Sequence, residues 1–138
     1  MKALNNSVGT INKKLIKALF FGVVVGSLII TILLIISSII ILQTGILPAD
    51  ILEYIILAFI GVGSLIGGFT AGRIYHMNGI IIGSVTGFIM FLILFLSGIS
   101  EIKDGLSIMT LLKLVVTIVP GILGGILGVN KKEKIKFK

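Results

Sequence analysis

Two copies of one hexapeptide, GVVVGS at residues 22–27 and GIIIGS at residues 79–84, stand inside long apolar runs of this chain. In each copy the two glycines are four residues apart, so they lie one turn apart on the same face of a helix. Lipid removes most of the hydrophobic attraction between helices, and membrane helices therefore associate where small residues let their backbones approach closely. The repeated hexapeptide predicts two membrane helices, each with a face suited to close packing.

The composition predicts an all-α, polytopic membrane protein formed by a single membrane domain, residues 1–138. Hydrophobic residues make up 57% of the chain and charged residues only 12%. Lipid offers no partners to backbone amides, and the apolar runs are too continuous for the alternating strands of a barrel, so each run is expected to be a helix. Crossing a hydrocarbon core takes roughly 20 helical residues. Four runs are long enough: about 18–42, 51–72, 77–99 and 107–129.

The first run is expected to remain in the protein. It is longer than the apolar segment of a signal peptide, and no small-residue cleavage site follows it. The chain contains no cysteine, so disulfides, thiolate metal sites and lipidated cysteines are excluded.

The distribution of lysine and arginine predicts the orientation. All of them except Lys103 and Lys113 lie in the N-terminal segment, in the link between the second and third runs, or at the C-terminus. Cytoplasmic flanks hold such residues in excess. Both termini, with the basic tails 1–17 and 130–138, are therefore expected in the cytoplasm.

The formal net charge of +7 favours contact with anionic lipid headgroups rather than with nucleic acid. The basic residues adjoin membrane runs, and no basic patch with interleaved aromatic residues or nucleic-acid motif accompanies them. The expected partner of the tails is the bilayer itself, and a specific lipid or protein docking role of the segment KKEKIKFK is the alternative.

The hexapeptides also predict an internal repeat. They lie 57 residues apart, and the same offset places Gly67 and Gly68 on Gly124 and Gly125. The chain thus has the pattern of a two-helix hairpin duplicated in tandem. Each unit contains an even number of spans, so the repeat would be parallel, with its pseudo-twofold axis along the membrane normal. Chance matches between glycine-rich apolar segments are the alternative.

Glycines at helical spacing occur in every run and are the candidate helix-packing residues. Three readings of them stay open: packing within one bundle, an interface between copies of the chain, and the lining of a pore. The candidates are Gly22, Gly26, Gly63, Gly67, Gly68, Gly72, Gly79, Gly83, Gly87, Gly121, Gly124, Gly125 and Gly128.

Glu53 and Lys113 are a candidate intramembrane ion pair. Each shares a helical face with small residues, and each lies at a similar distance, about 27–30 Å at 1.5 Å per residue, from a basic residue at the cytoplasmic end of its helix. Pairing would lower the cost of burying either charge. The alternative is that Glu53 favours the positive N-terminal end of its helix while Lys113 extends toward the surface.

Two other residues and one stripe have simple explanations. Pro120 is expected to bend the fourth helix and to leave the carbonyl of Val116 without its helical donor. A fixed kink is the favoured interpretation of this bend, and a gate is the alternative. His76 is expected to lie in a turn at the membrane interface. It is the only histidine of the sequence, so no histidine cluster is available to bind a metal. A polar stripe on the first helix would line a narrow path or bond back to its own backbone, as such hydroxyls commonly do. The stripe consists of Ser27, Thr31 and Ser38.

Three segments resemble those of a family of small four-span membrane proteins of unknown function from Gram-positive bacteria such as clostridia and bacilli. They are GGFTAGRI, NGIIIGSVTGF and GILGGILGVN. The resemblance covers nearly the whole chain. It implies four spans in a bacterial cytoplasmic membrane and supplies no activity, substrate or site residue.

These patterns favour a non-enzymatic packing or assembly component of the cell membrane, which associates with itself or with another membrane protein through its glycine faces. No nucleophile with a base, metal-binding motif or phosphate-binding loop is present, so no catalytic residue, cofactor or metal is expected. The alternative function is a small permease or channel that uses Glu53 and the polar stripe of the first helix.

Overall fold

A computed structural model describes residues 1–45, 48–98 and 108–133 of the chain. The described chain contains four α-helices: α1 (Lys2–Thr44), α2 (Ala49–Tyr75), α3 (Gly79–Gly98) and α4 (Ile108–Glu133). All four are long and apolar enough to cross a membrane. The predicted all-helical architecture with four such helices is confirmed.

Some of the sequence predictions lie outside the described residues. They are the C-terminal limit of the third span, the first residue of the fourth, Lys103 and its acidic neighbours, and the tail from residue 134 onward.

Helix α1 differs most from the segment expected for it. It has 43 residues, about 64 Å at 1.5 Å per residue, and begins at Lys2. The segment 1–17, expected as a basic tail, is therefore helical and continuous with the first span. No proline interrupts it, and it has the apolar residues at helical spacing that an amphipathic helix requires. The helix ends at Thr44. The cap residue Gly45 makes the last helical bond, from its N–H to the Ile41 carbonyl at 3.1 Å, and its φ of 95° turns the chain out of the helix.

Pro48 begins α2, where its carbonyl accepts the amides of Ile51 and Leu52 at 3.1 and 3.3 Å. The helix ends in the tight turn before α3. There His76 adopts a left-handed conformation, φ 63°, and donates its amide to Gly72 at 3.0 Å, and Asn78 has φ 44°. His76 is thus part of the turn that reverses the chain.

Helices α2 and α4 form the centre of the bundle and share its most extensive interface. They run parallel, because successive glycines of α2 meet successive glycines of α4 in the same direction: Gly68 lies at Gly121 and Gly72 at Gly125. Helix α1 packs antiparallel on α2, and α3 packs antiparallel on α4. Helix α3 also contacts α2, whereas in the described part of the chain α1 does not reach α4.

Helix α4 runs through Pro120 without interruption from Ile108 to Glu133. The bend expected at this proline stays a prediction.

Candidate functional site

The interface between α1 and α2 is made by two glycines from each helix. A Cβ atom at Gly22 would lie 2.8 Å from the carbonyl oxygen of Gly67, and one at Gly26 would lie 2.9 Å from that of Gly63. Both separations are too short for a real side-chain carbon, so only hydrogen fits on these faces. Ala71 closes the same interface: it is fully buried, and its Cβ would lie 2.7 Å from a Cβ at Gly22.

The interface between α3 and α4 repeats this arrangement. A Cβ at Gly79 would lie 2.5 Å from the carbonyl oxygen of Gly125, and Gly83 faces the carbonyl of Gly121. The next turn continues the contact, because a Cβ at Gly87 would lie 2.6 Å from the carbonyl oxygen of Thr117. Helix α3 therefore lies along α4 over three successive turns.

The central interface between α2 and α4 uses a different face of each helix. Gly68 and Gly72 contact the backbone of α4, and a Cβ on either would overlap a carbonyl of that helix. In return, Gly124 contacts the backbone at Leu65, and Gly128 contacts it at Phe69. The two glycines of each GG pair thus face different helices. Gly67 faces α1 and Gly68 faces α4, while Gly124 faces α2 and Gly125 faces α3.

Met90 is a packing residue that the glycine pattern did not reveal. It is buried, 4% exposed, and its methyl carbon would lie 2.9 Å from a Cβ at Gly26. Its sulfur would lie 3.3 Å from a Cβ at Gly67, so the side chain of α3 enters the space that the glycines of α1 and α2 leave open. Methionine suits such an irregular gap because it is unbranched and polarisable. The sequence signal for this contact is its spacing: Met90 lies seven residues after Gly83, on the same face of α3.

A serine hydroxyl makes a hydrogen bond between α2 and α4. Ser64 of α2 is fully buried and donates to the carbonyl of Thr117 on α4. The Thr117 hydroxyl in turn donates within its own helix, to the carbonyls of Lys113 at 3.0 Å and Leu114 at 2.9 Å. The carbonyl that was expected to lack a helical donor is that of Val116. The cross-helix bond is accepted instead by the next carbonyl along the chain, that of Thr117.

Two residues of the polar stripe of α1, Ser27 and Thr31, face away from the bundle. Ser27 and Thr31 are exposed and donate to carbonyls of their own helix, at 2.9 Å in both cases. Ser38 lies farther along, beside a groove of about 350 Å³ between the C-terminal part of α1 and the N-terminal part of α2. The groove is lined mainly by aliphatic side chains, including Leu34, Leu52 and Ile55.

Glu53 and Lys113 are brought together at the end of the bundle opposite the α2–α3 turn. Lys113 Nζ lies 3.9 Å from Glu53 Oε1, and the side chains are 42% and 43% exposed. This separation is beyond a direct hydrogen bond, so the attraction is mainly that of two opposite charges. The pair links α2 to α4 at the rim of their shared interface.

No metal-binding group of three or more histidine, aspartate or glutamate side chains occurs within the described residues.

The family model for a protein of unknown function, DUF3792, matches residues 15–128. The chain belongs to this family. The resemblance to a family of unknown function is thereby confirmed, while the occurrence of the family in clostridia and bacilli stays a prediction. No curated protein and no solved structure matches the chain. The matched range begins inside α1, two residues before Lys17, and includes all of the candidate packing glycines, from Gly22 to Gly128.

Substituting Gly83 by alanine tests the glycine interfaces. The added Cβ would meet the Gly121 carbonyl and would lie 2.8 Å from the Ile122 Cα, neither of which is a flexible side-chain end. The α3–α4 interface would have to open, so we expect the free energy of unfolding to fall by about 1–3 kcal/mol. Unfolding by sodium dodecyl sulfate in mixed micelles, followed by circular dichroism, measures this change.

The matched control is Gly9→Ala, at a helical glycine of α1 with nothing within 4 Å of the added carbon. Alanine is the better helix former, so this variant should be unchanged or more stable by about 0.5–1 kcal/mol. Equal stability of Gly83→Ala and the parent protein would contradict the packing described here.

A charge exchange tests the Glu53–Lys113 pair. We expect Glu53→Lys and Lys113→Glu each to lower the free energy of unfolding, and the double variant to recover about 0.5–1 kcal/mol, since both groups are partly exposed. Asp50→Lys, a substitution of an exposed acidic residue in the first turn of the same helix, is the control and should show no coupling to Lys113→Glu. If the double variant recovers nothing, the pairing contributes no stability.

Proposed function

We propose that the protein is a non-enzymatic packing and assembly component of the bacterial cell membrane, which associates with itself or stabilises another membrane protein. The observation that carries the proposal is the distribution of contacts. Backbone contacts at glycines hold the helices of the interior close together, while most of the surface of α1 has no partner within the described part of the chain.

The closed interior supports a packing function over a transport function. Gly68 and Gly72 at the α2–α4 interface, and Gly83 and Gly87 at the α3–α4 interface, all lie too close to neighbouring backbone for even a methyl group. A path for a solute through these interfaces would require their helices to separate. Such contacts are typical of membrane helices that pack closely on each other.

The exposed surface of α1 supports an assembly function. Four of its residues are buried, and all of them lie on one short face that contacts the bundle: Ala18, Gly22, Gly26 and Ile30. The other faces of α1 in the apolar region meet lipid or another membrane helix. Its outward face carries Ser27 and Thr31 one turn apart, the small-residue spacing at which a second helix packs closely.

The proposal includes a hairpin duplication. Contacts between Gly22 and Gly67, and between Gly26 and Gly63, correspond to those between Gly79 and Gly125, and between Gly83 and Gly121. The offset is 57 residues for the first helix of each hairpin and one residue more for the second, so Gly67 corresponds to Gly125 rather than to Gly124. The absence of an α1–α4 contact among the described residues, where α3 contacts α2, is a departure from exact twofold symmetry.

The proposed location is the cytoplasmic membrane with both termini on the cytoplasmic side. Lys13, Lys14 and Lys17 of α1 and Arg73 at the end of α2 lie at one end of the bundle. An excess of lysine and arginine on that side supports this orientation. The same residues suit attraction to anionic headgroups, at about 1 kcal/mol for each cation near the surface.

The permease or channel alternative has less support. Ser27 and Thr31 bond to their own helix on the outside of the bundle, and Glu53 faces Lys113 at the rim. To take part in transport, the Glu53 carboxylate would have to leave Lys113 and bind the transported solute or ion instead.

Native mass spectrometry of the protein, extracted from its own host at native expression level, tests the proposal. We expect species heavier than the 14.7 kDa chain, either multiples of it or a stoichiometric complex with a second membrane protein. A monomer alone, together with solute flux in liposomes that Glu53→Gln abolishes without unfolding the protein, would contradict the assembly function and favour the permease.

A further inference from the structure

The first 16 residues of α1 form a helical arm that extends past the end of the bundle. We refer to residues 2–17 as the arm. Helix α2 packs against α1 at Gly22 and ends at Tyr75, four residues beyond Ala71, so nothing from α2 continues alongside the arm. Except for the half-buried Leu15, every residue of the arm is exposed.

The arm is amphipathic, and its apolar stripe is exposed from Leu4 to Ile11 and half-buried at Leu15 among the described residues. Leu4, Val8, Ile11 and Leu15 follow the spacing i, i+4, i+7, i+11, which places them on one face of the helix. The first three are 70%, 52% and 45% exposed. Such a regular stripe is the seam by which one helix packs on another.

The stripe continues an interface that already exists. Carried forward along α1 with the same spacing, it reaches Ala18 and then Gly22, which are both buried, and Gly22 contacts α2. Since α2 stops at Tyr75, the arm presents the same face without the helix that covers it farther along. The space that an occupant of the stripe would fill therefore lies beyond the C-terminal end of α2, in line with that helix.

The charge of the arm favours an acidic occupant. The arm carries Lys2, Lys13, Lys14 and Lys17, and no acidic residue precedes Asp50. The C-terminal segment KKEKIKFK is also strongly basic, so its charge does not complement that of the arm.

The path of α1 excludes the arm of a second copy. α1 is one continuous helix from Lys2 to Thr44. If the arm of a second copy in the same membrane packed on the stripe, the membrane span that follows that arm would occupy the position of α2 and clash with it. The occupant therefore comes from a chain that does not cross the membrane at this point.

We propose that the stripe of the arm binds an amphipathic helix of net negative charge, supplied by a protein outside the bilayer at the basic end of the bundle. The apolar faces of the two helices would meet along Leu4, Val8, Ile11 and Leu15, as in helix-to-helix recognition modes. Lys14 flanks the stripe, and the remaining lysines give the arm a positive field that steers an acidic partner.

A lipid surface is the other chemistry that a basic amphipathic helix fits. Here the arm continues the axis of its membrane span, and its stripe points to the side on which α2 lies. To lie on lipid, the arm would have to bend sharply near Leu15, where the helix contains neither proline nor glycine. The described conformation therefore favours a protein partner.

The test uses the full chain in nanodiscs of zwitterionic lipid and a synthetic peptide as the probe. The peptide is a helix of about four turns with leucine at the seam positions and glutamate beside them. The control peptide has the same composition in scrambled order. We expect fluorescence anisotropy to show binding of the first peptide alone, and binding that weakens as salt is raised.

Substitutions in the arm identify the surface. Val8→Asp and Ile11→Asp place a carboxylate in the stripe and should each weaken peptide binding roughly tenfold or more. Thr10→Asp adds the same charge on the opposite side of the arm, at an exposed position, and should leave binding within about threefold. Equal effects of all three substitutions, equal binding of both peptides, or no binding would overturn the proposal.

A single label distinguishes the lipid alternative. The chain has no cysteine, so Val8→Cys carries one environment-sensitive fluorophore. We expect its emission to be unchanged by anionic lipid in the nanodisc and to shift to shorter wavelength when the acidic peptide is added. A shift caused by anionic lipid alone would overturn the proposal in favour of the membrane surface.

The inference names the chemistry of one partner of the proposed assembly function and is tested independently of it. Peptide binding to the arm can fail while the native complex persists through the glycine or α1 surfaces, and the reverse is equally observable.

Discussion

The bundle depends on direct backbone contact between α2 and α4. These two helices occupy its centre, and each carries one of the outer helices on a different face. Within lipid the hydrophobic effect supplies little attraction between helices, so their association rests on dispersion and on carbonyl contacts that require close approach. The absence of side chains at Gly68 and Gly72 allows the α4 backbone to come this near.

The polar groups follow from this close approach. Because the backbones touch, the Ser64 hydroxyl reaches the carbonyl of Thr117 on the neighbouring helix. At the rim of the same interface, Glu53 and Lys113 come within 3.9 Å of each other. A polar or charged group in an apolar environment is costly unless it has a partner, and the α2–α4 contact provides one for each.

Helix α1 stands apart from this arrangement. It contacts the bundle over a short face around Gly22 and Gly26, while its outward face and its arm have no partner within the described chain. The other faces of α1 are therefore available for association in the membrane and beyond it. The two surfaces differ in chemistry, since one carries small hydroxyl residues and the other an apolar stripe beside lysines.

The sequence by itself determined the four apolar helices, because an apolar run in lipid can satisfy its backbone only within its own helix. The paired glycines likewise indicated which faces have room for another backbone. Only the tertiary structure decided which faces meet. Glycine spacing is the same for every partner, so it does not reveal that Gly67 turns to α1 and Gly68 to α4. Nor does it reveal that Met90 fills the gap between α1 and α2, since that gap exists only once three helices have assembled.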